Sequence, residues 1–209
     1  MILGIIPARG GSKGIPRKNL HELAGQPLLK WTLDAAKRSE LLDDFFVSTE
    51  DDEIAEYTYD QSANVVHRPD HLATDGTTTA EVLRYHAGQC NAADVVVLLQ
   101  PTSPIRFRGL IDRCIGYFQL PFNECDTLAT GFRSYQYPYG TMDNIPRQEM
   151  QSFFYDDGNI YVHKAAHLKE GKWWGEKRHE VVIEPWYNIE LDTIADFWMA
   201  EGIIWQLNK

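Results

Sequence analysis

The residues best suited to chemistry lie close to the start of the chain. Pro7-Ala8-Arg9-Gly10-Gly11-Ser12-Lys13-Gly14-Ile15-Pro16-Arg17-Lys18-Asn19 combines three glycines with four cations. Glycines let a backbone approach a ligand closely and turn N–H groups toward an anion. Arg9, Lys13, Arg17 and Lys18 add positive charge, so the loop suits a nucleoside triphosphate. Its spacing fits neither G-x-x-x-x-G-K-[ST] nor G-x-G-x-x-G. A basic surface turn is the competing explanation, but it leaves unexplained why an apolar run, Ile2–Pro7, feeds directly into the glycines. A second set lies near the other end. Glu190 and Asp192 occupy alternate positions of an extended segment, so both can project from one side. Hard oxygen ligands beside a triphosphate suit Mg²⁺ or Mn²⁺. Asp192 could instead cap the helix that follows, although capping would not need Glu190. A third candidate is Gln100, whose side-chain amide both donates and accepts; a capping role in the proline-rich turn after it is the alternative.

These residues need a frame that brings them together. Ile2–Pro7, Phe45–Thr49, Val65-Val66 and Val95–Leu99 read as short buried strands, with Asn159–His163 and Val181–Ile183 as later ones. Between them the period changes to that of helices. One follows Gly25-Gln26, with Pro27 in its first turn and Leu28, Leu29, Thr32, Leu33 and Ala36 on one face. Others cover Asp51–Gln61, Glu81–Cys90 and about Leu110–Phe118. The last starts near Thr193, with Thr193 and Asp196 as a capping box and Ile194, Phe197, Trp198, Ile203 and Ile204 buried. Strands alternating with helices predict βαβ units, a mostly parallel sheet and an α/β fold. In such sheets ligands bind beyond the carboxyl ends of the strands, which singles out the loops 8–19, 68–79 and 100–106. From about Arg133 to Phe154 the rhythm breaks, and this stretch reads as an arm inserted into a single domain spanning 1–209.

Composition removes several classes of function. The net charge of −10 and pI near 5.1 argue against binding a nucleic-acid polymer or an anionic membrane. Yet residues 1–40 hold seven basic and three acidic side chains, so a small anion is expected there. Residues 43–60 carry eight carboxylates and no Lys or Arg, and read as a solvated helix face. No apolar stretch approaches the ~18–20 residues of a membrane span, and the apolar start ends at Arg9, too early for a signal peptide. Cys90, Cys114 and Cys125 show no metal-type spacing and read as reduced thiols of a cytoplasmic protein. His67 and His71 are separated by Pro69, which forbids a shared helix, and read as loop histidines.

The loop at Pro7–Asn19 resembles the first signature of the cytidylyltransferases that activate nine-carbon acidic sugars, the CMP-nonulosonic acid synthetases. Leu98-Leu99-Gln100-Pro101-Thr102-Ser103-Pro104-Ile105-Arg106 is similar to their second signature. Arg68-Pro69 through Leu72-Ala73-Thr74-Asp75, then Gly158-Asn159-Ile160-Tyr161 and Ile189-Glu190-Leu191-Asp192-Thr193, resemble three more in the same order. The resemblance implies a three-layer, Rossmann-like nucleotidyltransferase fold, with CTP and an acidic sugar as substrates and CMP-sugar and pyrophosphate as products. It places Arg9, Ser12 and Lys13 on the phosphates, within a nucleotide-binding set of Ala8, Gly10, Gly11, Lys18, Asn19, Arg68, Asp75, Thr77 and Thr78. Gln100 falls between nucleotide and sugar, and Asp192 with Glu190 at the metal. The family has Asp-x-Asp where this chain has Glu190-Leu191-Asp192, so Glu190 binds the metal directly or through water. On the sugar side stand Arg147, reaching in from a dimerisation arm, with Tyr161, Trp173 and Trp174. Tyr155 takes the place of a second arginine of the sialate enzymes, and adjacent tryptophans also suit a core or an interface. The resemblance further implies a homodimer. A CMP-Kdo synthetase, a pyrophosphorylase acting on a neutral sugar phosphate and a non-catalytic nucleotide-binding regulator remain as alternatives.

Overall fold

A computed structural model describes residues 1–120, 124–138, 140–141 and 145–207, with the side chain of Arg147 outside that set. The first strand is β1 (Ile2–Pro7), followed by a small hairpin of β2 (Glu22–Leu23) and β3 (Gln26–Pro27) that sequence patterning did not indicate. Pro27 then caps α1 (Leu28–Lys37), and Leu28, Leu29, Thr32, Leu33 and Ala36 are its buried face, as the apolar spacing required. The elements continue as β4 (Asp44–Thr49), α2 (Asp52–Asp60), β5 (Asn64–His67), α3 (Thr79–Gln89), β6 (Val95–Leu99) and α4 (Leu110–Phe118). Beyond these lie β7 (Thr127–Ser134), β8 (Phe153–Lys164), α5 (Ala165–Lys169), β9 (Arg178–Val182) and α6 (Ile194–Leu207).

Seven strands form one sheet in the order β5-β4-β1-β6-β8-β7-β9. The pairs β4–β5, β1–β4, β1–β6 and β7–β9 are parallel, while β8 runs antiparallel to both of its neighbours. Helices cover both faces. On one, α1 and α4 set Leu29, Leu33, Leu110 and Ile115 against Ile6, Val47, Val97 and Ile160. On the other, Leu83 and Ala87 of α3 meet Leu3, Ile5, Val96 and Leu98. Alternate residues of β1 thus enter opposite cores, which is why its sequence is apolar throughout.

Three expectations need correction. Strand β7 was not foreseen, because Thr127-Leu128-Ala129-Thr130-Gly131 lacks both strict alternation and bulky residues. It lies between β8 and β9, where small side chains fit, and its register shifts between Ala129 and Gly131. His67 ends β5 rather than lying in a loop. In α6 the buried residues are Phe197, Ala200 and Ile204, whereas Ile194 and Trp198 are exposed. The helix touches the rest of the molecule along a narrow line. Phe197 and Ile204 pack there with Ile15 of the glycine loop and Leu191, so α6 ties the two ends of the chain together.

Candidate functional site

Parallel pairing of β1 with β6, with Ile5 opposite Leu98, makes the loops after Pro7 and Leu99 leave the sheet side by side. Between them opens a cavity of about 380 Å³. Arg9, Ser12, Lys13, Gly14, Lys18 and Asn19 line it from the first loop, Arg68, Leu72, Thr74 and Thr77 from the segment between β5 and α3, and Thr79 from the start of α3. Gln100, Pro101 and Thr102 extend from β6, and Glu190 and Asp192 close the far side. Loops separated by up to about 180 positions in the sequence meet because they all leave the same edge of the sheet.

The cations of the glycine loop are all matched by carboxylates. Arg9 donates to Asp75 Oδ1 at 3.0 Å and to the Thr74 carbonyl at 3.1 Å, and Lys13 Nζ lies 3.0 Å from Asp75 Oδ2. Lys13 foremost, with Arg9, holds the Asp75 carboxyl below its usual range. Asp75 therefore occupies both of these cations and is itself an anion. Lys18 donates to the Leu191 carbonyl at 2.8 Å and to Asp192 Oδ1 at 3.0 Å. Arg17, with a left-handed φ of 57°, turns away from the cavity and pairs with Asp51 and Glu53. The acidic stretch is thus more than a solvated face, since Asp51 both caps α2 and anchors Arg17. Glu50, which sequence reasoning passed over, accepts from Arg68 Nε and Nη2, each at 3.0 Å, and from the Gly10 N–H at 2.7 Å. Its position at the carboxyl end of β4, beside β1, was the signal available for finding it.

Not every expected residue reaches the cavity. Ala8 is fully buried and its N–H bonds the Ser48 carbonyl, continuing the β1–β4 ladder. Gly10 presents its N–H to Glu50, and a Cβ there would run into Asp51, so this glycine serves close packing. Gly11 lies outside the lining. Thr78 is the N-cap of α3 in a reciprocal box with Glu81. Tyr161 is buried and donates to Asp156 Oδ2 at 2.6 Å. Trp173 packs 5.3 Å from that ring and against the core on the α3 side, whereas Trp174 stands edge-on to Trp173 and is exposed; neither lines the cavity. Arg147's side chain lies outside the described residues.

The cavity's far wall is built around Gly158, whose φ of 69° favours glycine. A Cβ there would lie 2.9 Å from Gln100 Oε1 and 3.8 Å from Glu190 Oε1, so both side chains rest against its bare Cα. Burial first, then the charges of Asp192, Asp156 and Asp157, raise the proton affinity of Glu190; Lys18 opposes this. That crowding of negative charge favours a cation. Among the described residues no group of three or more His, Cys, Asp or Glu is arranged to hold a metal. Glu190 and Asp192 alone fit the Mg²⁺ pattern of one or two carboxylates completed by phosphate oxygens and water.

Comparison with known proteins agrees with this geometry. The family model described as Cytidylyltransferase matches residues 3–166. N-acylneuraminate cytidylyltransferase of Escherichia coli O18:K1:H7 is 37% identical over 100% of this chain and 53% of its own. That of Streptococcus agalactiae serotype III is 31% identical over 92% of this chain and 51% of its own. The chain therefore spans about half the length of the curated relatives it matches. Among solved structures, a CMP:2-keto-3-deoxy-manno-octonic acid synthetase complexed with CTP superposes with a TM-score of 0.77, at 14% identity over 99% of both chains. A cytidylyltransferase from Leptospira borgpetersenii gives 0.71, at 16% identity over 98% of this chain and 87% of its own. Sequence and fold agree that this chain belongs to the cytidylyltransferase family.

Proposed function

We propose that the chain transfers CMP from CTP to the anomeric hydroxyl of a nine-carbon acidic sugar, giving CMP-sugar and pyrophosphate. The observation that carries this reading is one cavity lined by Arg9, Lys13 and Lys18 together with Gln100, Glu190 and Asp192. The relatives named N-acylneuraminate cytidylyltransferase supply the substrate class. In this reading Arg9, Ser12 and Lys13 hold the phosphates, and Asn19, Arg68, Thr77 and Thr79 face base and ribose. Asn19 is already fixed by its bond to the Arg9 carbonyl at 2.9 Å. The sugar hydroxyl attacks the α-phosphorus and pyrophosphate departs. Lys13 and Arg9 neutralise the charge that builds on the leaving group, so catalysis is positioning and electrostatics. Glu190 and Asp192 hold Mg²⁺ or Mn²⁺, which supplies further charge neutralisation at the phosphates. Arg147, from an arm at about 133–154, serves the sugar carboxylate across a homodimer. The protein acts in the cytoplasm in this reading.

The test is pyrophosphate release with each of the four nucleoside triphosphates and a panel of eight- and nine-carbon acidic sugars. CTP with a nine-carbon acid should be the productive pair. Lys13→Ala should lower turnover by ~10²–10³-fold while circular dichroism stays unchanged, because the side chain is 76% exposed. CTP binding without turnover on any sugar would assign the chain to nucleotide sensing instead.

A further inference from the structure

Arg106 points away from the nucleotide side of the cavity and is tied to what stands around it. Nη1 donates to Thr32 Oγ1 of α1 at 2.9 Å, and Nη2 donates to two carbonyls, Gln100 and Asn159, each at 2.9 Å. One guanidinium nitrogen thus joins the carboxyl end of β6 to the middle of β8. Asp157 works from the other side. Its Oδ1 accepts from the Asn159 N–H at 2.9 Å and Thr130 Oγ1 at 2.7 Å, and its carbonyl accepts from Ser103 Oγ at 3.0 Å. Gly158, held between these anchors, is the surface on which the Gln100 amide rests. Leu191, between the two carboxylates of the far wall, donates its N–H to the Thr102 carbonyl at 2.7 Å.

Cost argues that the arrangement is not incidental. Burial lowers the pKa of Arg106 to about 10, opposed by the charge of Asp157, and burial raises the affinity of Asp157 for its proton. Arg106 Nε and Asp157 Oδ2 are both buried without a protein partner. Opposite charges held inside a protein stabilise it weakly compared with apolar residues of the same size. Stability therefore does not explain these two buried charges, whereas fixed geometry between the end of β6 and the middle of β8 does.

We infer that Arg106, braced by Thr32 and opposed by Asp157, is a positioning residue that fixes the Gln100 amide against Gly158 and beside Glu190, where the reacting groups meet. It touches neither substrate. Its contribution falls on the sugar side, because Arg9, Lys13, Asn19 and Arg68 are held by other partners. The inference rests on the proposed transfer reaction.

The variants are Arg106→Met, Arg106→Lys and Thr32→Val, each assayed for kcat, sugar KM, CTP affinity by calorimetry, and amide exchange over residues 100–103 and 158–160. Arg106→Met should lose about 10²-fold in kcat, the effect of displacing a reacting group by about 1 Å, with CTP affinity unchanged and exchange in both segments faster. Arg106→Lys should recover part of that loss. Thr32→Val, which keeps the fold and both carbonyl bonds, should lose up to about tenfold and decides the matter if Arg106→Met does not fold. A folded Arg106→Met or Thr32→Val with wild-type kcat and wild-type exchange overturns the inference. So does a parallel loss of CTP affinity, which would mark a general structural role. If the wild-type chain turns over no sugar acid, the transfer reading fails, and the exchange measurement still decides whether Arg106 holds Gln100.

Discussion

Asp75 shows how one side chain can look like a ligand in sequence and act as a competitor in structure. It stands among the residues expected to bind nucleotide, yet it is itself negative and bridges Arg9 and Lys13. A triphosphate entering the cavity must take those cations from it. Asp75→Asn should therefore bind CTP more tightly, by about a few-fold, as expected for weak, solvent-screened ion pairs. Titration calorimetry measures this directly, and weaker binding would show that Asp75 helps to shape the site rather than filling it. This interaction was hidden in the sequence because Arg9 and Asp75 are separated by 66 positions. The loop's own chemistry was visible, since glycines and cations beside an apolar strand are a local signal. Which carboxylate faces which cation is a property of the assembled sheet.

Elements follow the same division between local and assembled information. Strand β1, α1 and α4 were readable because each has a one- or two-face apolar pattern and clear punctuation, such as Pro27 ahead of α1. Strand β7 was not readable, because a strand flanked by two others can use small residues. At Gly131 the neighbouring backbone of Tyr155 comes so close that a Cβ would collide with its carbonyl. The exposed Trp198 in α6 was misjudged for the opposite reason, since apolar content alone does not say which face meets a partner. The start of α3 illustrates an element-level prediction. Thr78 and Glu81 satisfy each other's backbone N–H groups, so Thr78→Ala should cost about 1 kcal/mol. In a chain of 209 residues this lowers the melting temperature by about 2–4 °C. Thermal unfolding reads the shift, and CTP affinity should stay near wild type because the side chain is committed to the helix.

At the scale of the whole molecule, the charge imbalance takes on a different meaning. Four cations of residues 1–40, Arg9, Lys13, Arg17 and Lys18, are met across the fold by Asp51, Glu53, Asp75 and Asp192. The cavity is therefore a set of exchangeable ion pairs, not a bare positive surface. The proposed assembly also belongs to this scale. Ser134 and Phe153 are the last paired residues of β7 and β8, the proposed arm falls between them in sequence, and Tyr137, Ile145, Phe153 and Tyr155 are exposed. Sedimentation should give twice the 24.0 kDa chain mass, and replacing residues 137–150 by a short turn should halve it. A wild-type monomer would remove the partner that Arg147 is proposed to serve.

Lys18 carries one further consequence, for the order in which the protein is made. Its ammonium is bound by the Leu191 carbonyl and by Asp192, 173 and 174 positions later, and Gly14 lies directly against the Asp192 backbone. Contacts this distant in sequence form late, after the loops between them have closed. Until residues 190–192 have been made and have docked, the glycine loop lacks the wall that completes it. The glycine loop is thus made well before the residues that close the cavity, and it is complete only once they have docked.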